Sequence, residues 1–238
     1  MHKEGFSRMC GHGVIAVATI IIERGLMDLP RPADGSVELT LDAPAGPIKL
    51  RAKTSDGHVT SVSFRNVPTF VLHPALAVRV GSRDVRVDVA FGGAFYAIVD
   101  SESVGIPILG ARLPDLRRVG MEIKHAVETA VIVEHPTEPG LHGIYGTIFT
   151  GPPADERADL RNVTIFADAE VDRSPCGSGT AAVMAVLSAM GMLSDPDQIF
   201  RHESIIGTLF HGRVIENVAV GDQDAIIPNV DTNICREG

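Results

Sequence analysis

The chain has 238 residues, 45% of them hydrophobic and 21% charged, with a formal net charge of −9. That length buries a core as one large domain or two small ones, and the acidic balance argues against nucleic acid or an anionic membrane surface as a partner, since each calls for a basic patch. No apolar run reaches the roughly 20 residues of a membrane span. Met1 to Gly5 lacks the charged and apolar regions of a signal peptide, which makes a cytoplasmic location the default expectation.

In chain order, Gly13 to Leu26 is rich in Val, Ile and Ala and ends in Arg24-Gly25, which predicts a buried helix with a glycine stop. From Ser36 to Leu72 short alternating runs are split by Asp-Ala-Pro, Ser-Asp-Gly and Asn-Val-Pro, the pattern of antiparallel strands joined by turns. Val85 to Phe91 alternates again and ends in Gly92-Gly93, and Ala94 to Asp100 reads as a buried strand. Arg112 to His125 predicts an amphipathic surface helix. Ala130 to Glu134, Gly143 to Thr150 and Val163 to Phe166 are strand-like, with a loop at Gly151-Pro152-Pro153. Thr180 to Met190 predicts a second helix stopped by Gly191, and Ser204 to Ile227 alternates once more. The expected class is α+β, a helix followed by strands occurring twice, with a boundary near Gly81-Ser82 that divides the chain into 1–82 and 83–238.

One pattern stands out within this order. Cys-Gly-x-Gly occurs at Cys10 and again at Cys176, 166 positions apart (176 − 10), and each copy opens an apolar helical run. A lone cysteine in such a run is more often a small core residue than a catalyst. The repetition in matching context reverses that preference. Of the three cysteines, Cys235 has no comparable context and reads as structural or accidental. An odd set without zinc spacing favours reactive thiols over a disulfide framework.

A helix N-terminus lowers a thiol's pKa from its usual value near ~8.5. The glycines Gly11, Gly13, Gly177 and Gly179 leave backbone N–H groups open to a carboxylate. Two such helix starts facing each other would place thiolate and thiol on opposite faces of an α-carbon, one removing a proton and the other returning it. His12 is read as a ligand contact or an orienter of the thiol in preference to a metal ligand, because no cluster completes a metal site. Asp172, four residues before Cys176, is a candidate to hold a substrate ammonium. No cofactor is expected. The Gly-x-Gly pieces lack the rest of a dinucleotide fingerprint, and none of the four lysines sits in a Schiff-base context.

Met9-Cys10-Gly11-His12-Gly13 and Asp172-Arg173-Ser174-Pro175-Cys176-Gly177-Ser178-Gly179-Thr180 resemble the two signature motifs of the proline racemase family. That family includes proline racemases, 4-hydroxyproline 2-epimerases and trans-3-hydroxyproline dehydratases. Asp88 to Ala97 and Glu203 to Thr208 are similar as well, so the resemblance spans almost the whole chain.

The resemblance implies a diaminopimelate-epimerase-like fold of two similar domains, each a curved sheet around a central helix. It implies Cys10 and Cys176 as acid/base residues, and Gly11, His12, Asp172, Gly177 and Ser178 as substrate contacts. Ser178 stands where Thr is common. Phe166 matches an aromatic that packs on the substrate ring. Cys176 favours a racemase or epimerase of proline or hydroxyproline, because the dehydratases carry Thr there. Tyr145-Gly146-Thr147 and Phe166-Ala167-Asp168 resemble the dehydratases' surroundings and keep that alternative. The implied partner is a small imino acid, with a homodimer allowed. Family members carry a His-Thr-x-Gly-Glu-Pro segment ahead of the first cysteine motif. Its absence here implies an incomplete first domain and a third reading, an inactive truncated remnant.

Overall fold

The computed structural model describes residues 9–233 apart from Arg31 and Pro196, so Met1 to Gly5 and Cys235 lie outside the described residues. The first helix, α1, spans Gly11–Arg24. It begins at Cys10 in the N-cap position and ends at Gly25, whose φ of 60° is the left-handed turn that glycine enters without a Cβ penalty. Val14, Ala18 and Ile22 are buried along one face, whereas Val17 and Ile20 are exposed. The expected buried helix is therefore buried along one side, with the other exposed.

Four antiparallel strands follow: β1 (Ser36–Ala43), β2 (Gly46–Ser55), β3 (His58–Arg65) and β4 (Thr69–Val80). In β2, Ile48, Leu50 and Ala52 point inward while Lys49, Arg51 and Lys53 are exposed, the period-two pattern of a sheet with one wet face. Gly81-Ser82 forms the tight turn between β4 and β5 (Arg83–Phe91), whose closing pair is Val80 with Arg83.

Next come β6 (Phe95–Asp100), helix α2 (Leu113–Ala130) and the strands β7 (Ile144–Gly151), β8 (Leu160–Phe166) and β9 (Glu170–Asp172). Helix α3 spans Gly177–Ala189, and β10 (Phe200–Ser204), β11 (Leu209–Val220) and β12 (Gln223–Asn233) complete the order. The strand expected at Ala130 to Glu134 does not form: α2 continues through Ala130, and only Glu134 makes an isolated bridge, to His142. Ile132 is 83% exposed, so the apolar run that suggested a strand has no sheet to join.

The strands join into one sheet in the order β1-β2-β3-β12-β11-β10-β8-β7-β6-β5-β4. Ala225 and Ile226 of β12 also pair with Phe70 and Thr69 of β4, which closes β12, β11, β10, β8, β7, β6, β5 and β4 into an eight-stranded barrel. Helix α3 fills it, buried without interruption from Gly177 to Val186 and touching β4, β5, β6, β11 and β12. This all-round burial explains why its sequence is uniformly small and apolar. Helix α2 packs outside on β7 and β8, its Gly120 against Ile165 and its carbonyl there accepting from Thr147 Oγ1 at 2.7 Å. The strands β1, β2 and β3 continue from β12 and cover α1. Among the described residues no helix is long and apolar enough to cross a membrane.

Candidate active site

The two cysteine motifs meet where α1 and α3 begin. Glycine is required at the meeting point: a Cβ on Gly177 would lie 2.8 Å from Gly11 Cα and 3.0 Å from Phe64 Cζ. Cys10 is exposed, and its Sγ accepts from Gly13 N–H at 3.4 Å, so an anionic sulfur there would be met by a helix-start donor.

Cys176 is buried and has φ 63° and ψ 112°, outside the regions an L side chain favours. Its neighbours hold that conformation in place. Ser174 Oγ accepts from Cys176 N–H at 3.0 Å, and Thr180 N–H donates to the Cys176 carbonyl at 2.7 Å. The Pro175 carbonyl accepts from Asn162 Nδ2 and Thr180 Oγ1, each at 3.2 Å. A strained residue over-determined by its surroundings is typical of functional sites.

Asp172, at the end of β9, lies on the same side. Its Oδ1 accepts from Ser174 N–H at 2.9 Å and from Ser174 Oγ at 3.1 Å, and stands 3.6 Å from His12 Nδ1. His12 Nδ1 is also 3.3 Å from Ser174 Oγ, and the imidazole is half exposed. Helix α1 thus contributes Cys10, Gly11 and His12, while the β9–α3 segment contributes Asp172, Ser174, Cys176, Gly177 and Ser178. Apart from Ser174, these are residues the sequence singled out, and the structure brings them together.

The thiol of Cys176 departs from the sequence expectation. Burial, and after it the Asp172 carboxylate, pushes it up to about 12, with the Tyr96 phenol and the Gly179 N–H opposing in part. Position at a helix start is therefore outweighed by loss of water. In the free protein near neutral pH Cys176 is a thiol, the form that donates a proton.

Tyr96, on β6, is fully buried, with its hydroxyl 2.7 Å from Ser178 Oγ and 3.5 Å from Cys176 Sγ. Its ring meets Tyr145 edge-on at 5.6 Å, and Tyr145 stacks on Phe166 at 5.5 Å with 12° between the planes. Phe166 therefore belongs to an aromatic file that runs to the thiol. Behind Pro175, His202 is fully buried, its Nδ1 2.9 Å from Thr180 Oγ1, and burial drives its pKa down to about 3. Sequence reasoning assigned no role to Tyr96, Ser174, Asn162, Thr180 or His202. Only Ser174 and Thr180 lay close enough to a cysteine to have been weighed. No group of His, Cys, Asp and Glu able to hold a metal ion occurs among the described residues.

A proline racemase family model matches residues 1–234. The chain is 45% identical over 233 residues to a protein of Bacillus cereus named trans-3-hydroxy-L-proline dehydratase, covering 98% of this chain and 69% of that one. It is 40% identical over 238 residues to one of Burkholderia multivorans named 3-hydroxyproline 2-epimerase, covering 99% and 70%. A crystal structure of a hydroxyproline epimerase from Agrobacterium vitis, with trans-4-hydroxy-L-proline bound, superposes with a TM-score of 0.90 at 29% identity, over 99% of this chain and 68% of that one. The match along the chain, the two levels of identity and the shared barrel together establish that the chain belongs to the proline racemase family and is an enzyme of it.

Proposed function

We propose that the chain inverts the α-carbon of proline or a hydroxyproline without a cofactor, using Cys10 and Cys176 as its two acid/base groups. One observation carries this reading. Two cysteines occupy the N-cap positions of two helices whose first residues meet backbone to backbone, so in this reading the sulfurs would flank one small space with first-turn N–H groups at its edge. A carboxylate in that space would accept from the first-turn N–H groups of both helices, which also stabilise the charge that develops on deprotonation at the adjacent carbon.

The protonation states divide the labour. Cys10, met by Gly13 N–H, takes the α-proton as thiolate, and the electron pair of the C–H bond stays on the α-carbon. Cys176, held as a thiol, delivers its proton to the opposite face. The reverse reaction exchanges the roles. Asp172 holds the imino nitrogen, His12 and Ser174 fix the Asp172 carboxylate, and Phe166 with Tyr145 walls the ring. The two groups of strands, one around α1 and one around α3, correspond in this reading to the halves of a diaminopimelate-epimerase-like fold.

Dehydration of trans-3-hydroxyproline is the second reading, favoured by the 45% identity to the Bacillus cereus protein of that name. There Cys10 removes the α-proton, and because the 3-hydroxyl lies on the same ring face as that proton, the Cys10 thiol so formed returns it to the departing hydroxyl, giving water and a pyrroline. The test is incubation of wild type, Cys10→Ser and Cys176→Ser with L-proline, L-4-hydroxyproline and trans-3-hydroxy-L-proline in deuterated water. Deuterium at the α-carbon with inversion, lost in both variants, supports the two-cysteine inversion. Exchange without inversion, or a pyrroline from the 3-hydroxy substrate, overturns it in favour of one-base chemistry.

A further inference from the structure

We propose that Tyr96 is a positioning residue for Cys176, its phenol O–H turning from Ser178 Oγ to Cys176 Sγ when that sulfur becomes a thiolate. The role in turnover rests on the two-cysteine reading above. The three side chains form a closed triangle inside the barrel: Tyr96 hydroxyl to Ser178 Oγ at 2.7 Å, Tyr96 hydroxyl to Cys176 Sγ at 3.5 Å, and Cys176 Sγ to Ser178 Oγ at 3.9 Å.

Three protons on these atoms while Cys176 is a thiol, and two once it is a thiolate, can point in only a few ways. While Cys176 is a thiol, S–H donates to the phenol oxygen and the phenol donates to Ser178 Oγ. When the thiol proton passes to the α-carbon, the S–H electron pair remains on sulfur. The chain then reverses: Ser178 O–H donates to the phenol oxygen and the phenol donates to the sulfur anion. No proton leaves either hydroxyl. Tyr96 is fitted to keep its own, because complete burial, and next the charge of Cys176, raise its pKa well above the usual phenol value.

The triangle supplies what Cys176 otherwise lacks. The charged or titratable groups facing it are Asp172 from β9, Cys10 from α1 and Tyr96 from β6, with Tyr145 of β7 behind Tyr96. Asp172 and Cys10 disfavour a thiolate, and the donors that oppose them are the Tyr96 hydroxyl and the Gly179 N–H, with Ser178 Oγ farther off at 3.9 Å. A buried anion with two donors is far less costly than one with a single donor.

The experiment uses the full chain with Cys10→Ser and Cys235→Ser, which leaves Cys176 as its single thiol. Alkylation of Cys176 by iodoacetamide, followed by mass spectrometry between about pH 7 and pH 10, reads the thiolate fraction without any substrate. Adding Tyr96→Phe, which keeps the ring and removes only the hydroxyl, is expected to slow alkylation about tenfold at each pH, the loss of a hydrogen bond to a charged sulfur. Adding Ser178→Ala instead frees the phenol for sulfur and is expected to leave alkylation as fast or faster. Equal or faster alkylation with Tyr96→Phe, or slower alkylation with Ser178→Ala, overturns the proposal. Because no turnover is measured, a failure of the proposed inversion leaves this result readable on its own.

Discussion

Gly11 of α1 and Gly177 of α3 meet backbone to backbone, so that a Cβ on Gly11 would stand 2.6 Å from Gly177 Cα. Neither partner is a flexible side-chain tip, and the strain of a larger residue must be relieved by moving a helix. Gly11→Ala is expected to cost about 1–3 kcal/mol of stability and to lower inversion by roughly a hundredfold, because a displacement near ~1 Å separates the reacting groups. Thermal denaturation and polarimetry of proline check the two effects separately.

Asp172 acts on two groups in opposite senses. Its charge raises the Cys176 thiol, while in the proposed function the same charge holds the imino nitrogen. Asp172→Asn is therefore expected to speed alkylation of Cys176 at fixed pH by a few fold, and to raise KM for proline at least tenfold, about 1.4 kcal/mol. A purely structural role would not make the thiol more reactive as turnover fell.

His202 gives the fold a pH dependence. In the folded chain burial holds its pKa at about 3, against an ordinary value of 6.5. Between those values the unfolded chain binds a proton that the folded chain refuses. The stability contributed by neutral His202 is complete above 6.5 and is lost as pH falls toward 3, at up to about 1.4 kcal/mol per pH unit. Urea unfolding between about pH 7 and pH 5 should show this decline, and His202→Gln should flatten it.

Phe166 stacks on Tyr145, which in turn meets Tyr96 edge-on. If the aromatic file walls the substrate ring, Phe166→Ala should raise KM for proline about tenfold with kcat little changed, because the lost apolar contact serves substrate and transition state alike. Steady-state kinetics in both directions check this, and a fall in kcat alone would remove Phe166 from the ring-binding wall.

Much of this was readable from residue order. The doubled Cys-Gly-x-Gly located both helix starts, and the period-two pattern from Ser36 to Leu72 located β1 to β3 and the start of β4, because both depend on neighbours close in sequence. Barrel closure was not readable, since it rests on two residue pairs between β12 and β4, more than 150 positions apart (225 − 70 = 155). Ala130 to Glu134 misled for a related reason: an apolar run says what wants burial, but the presence of a strand partner is decided elsewhere. The acidity of Cys176 was misjudged because a helix start is local whereas burial inside a barrel is not. Tyr96, 80 positions from Cys176, was invisible as its partner until the barrel brought the two together.

β12 pairs with β4 and β11 within the barrel, while its last residues, Asn229 to Asn233, pair with Arg65 to Ser61 of β3. Because β3 lies against α1 and β12 against α3, this ladder is a ruler for the gap between the thiols. A slip of two residues along it preserves every inward-facing side chain yet carries one helix start past the other by roughly 7 Å. No hydrophobic pattern forbids that slip. The working register is the one in which Gly11 meets Gly177 backbone to backbone, so a chain that mispaired there would keep its core and lose the approach of the two cysteines that the proposed inversion requires.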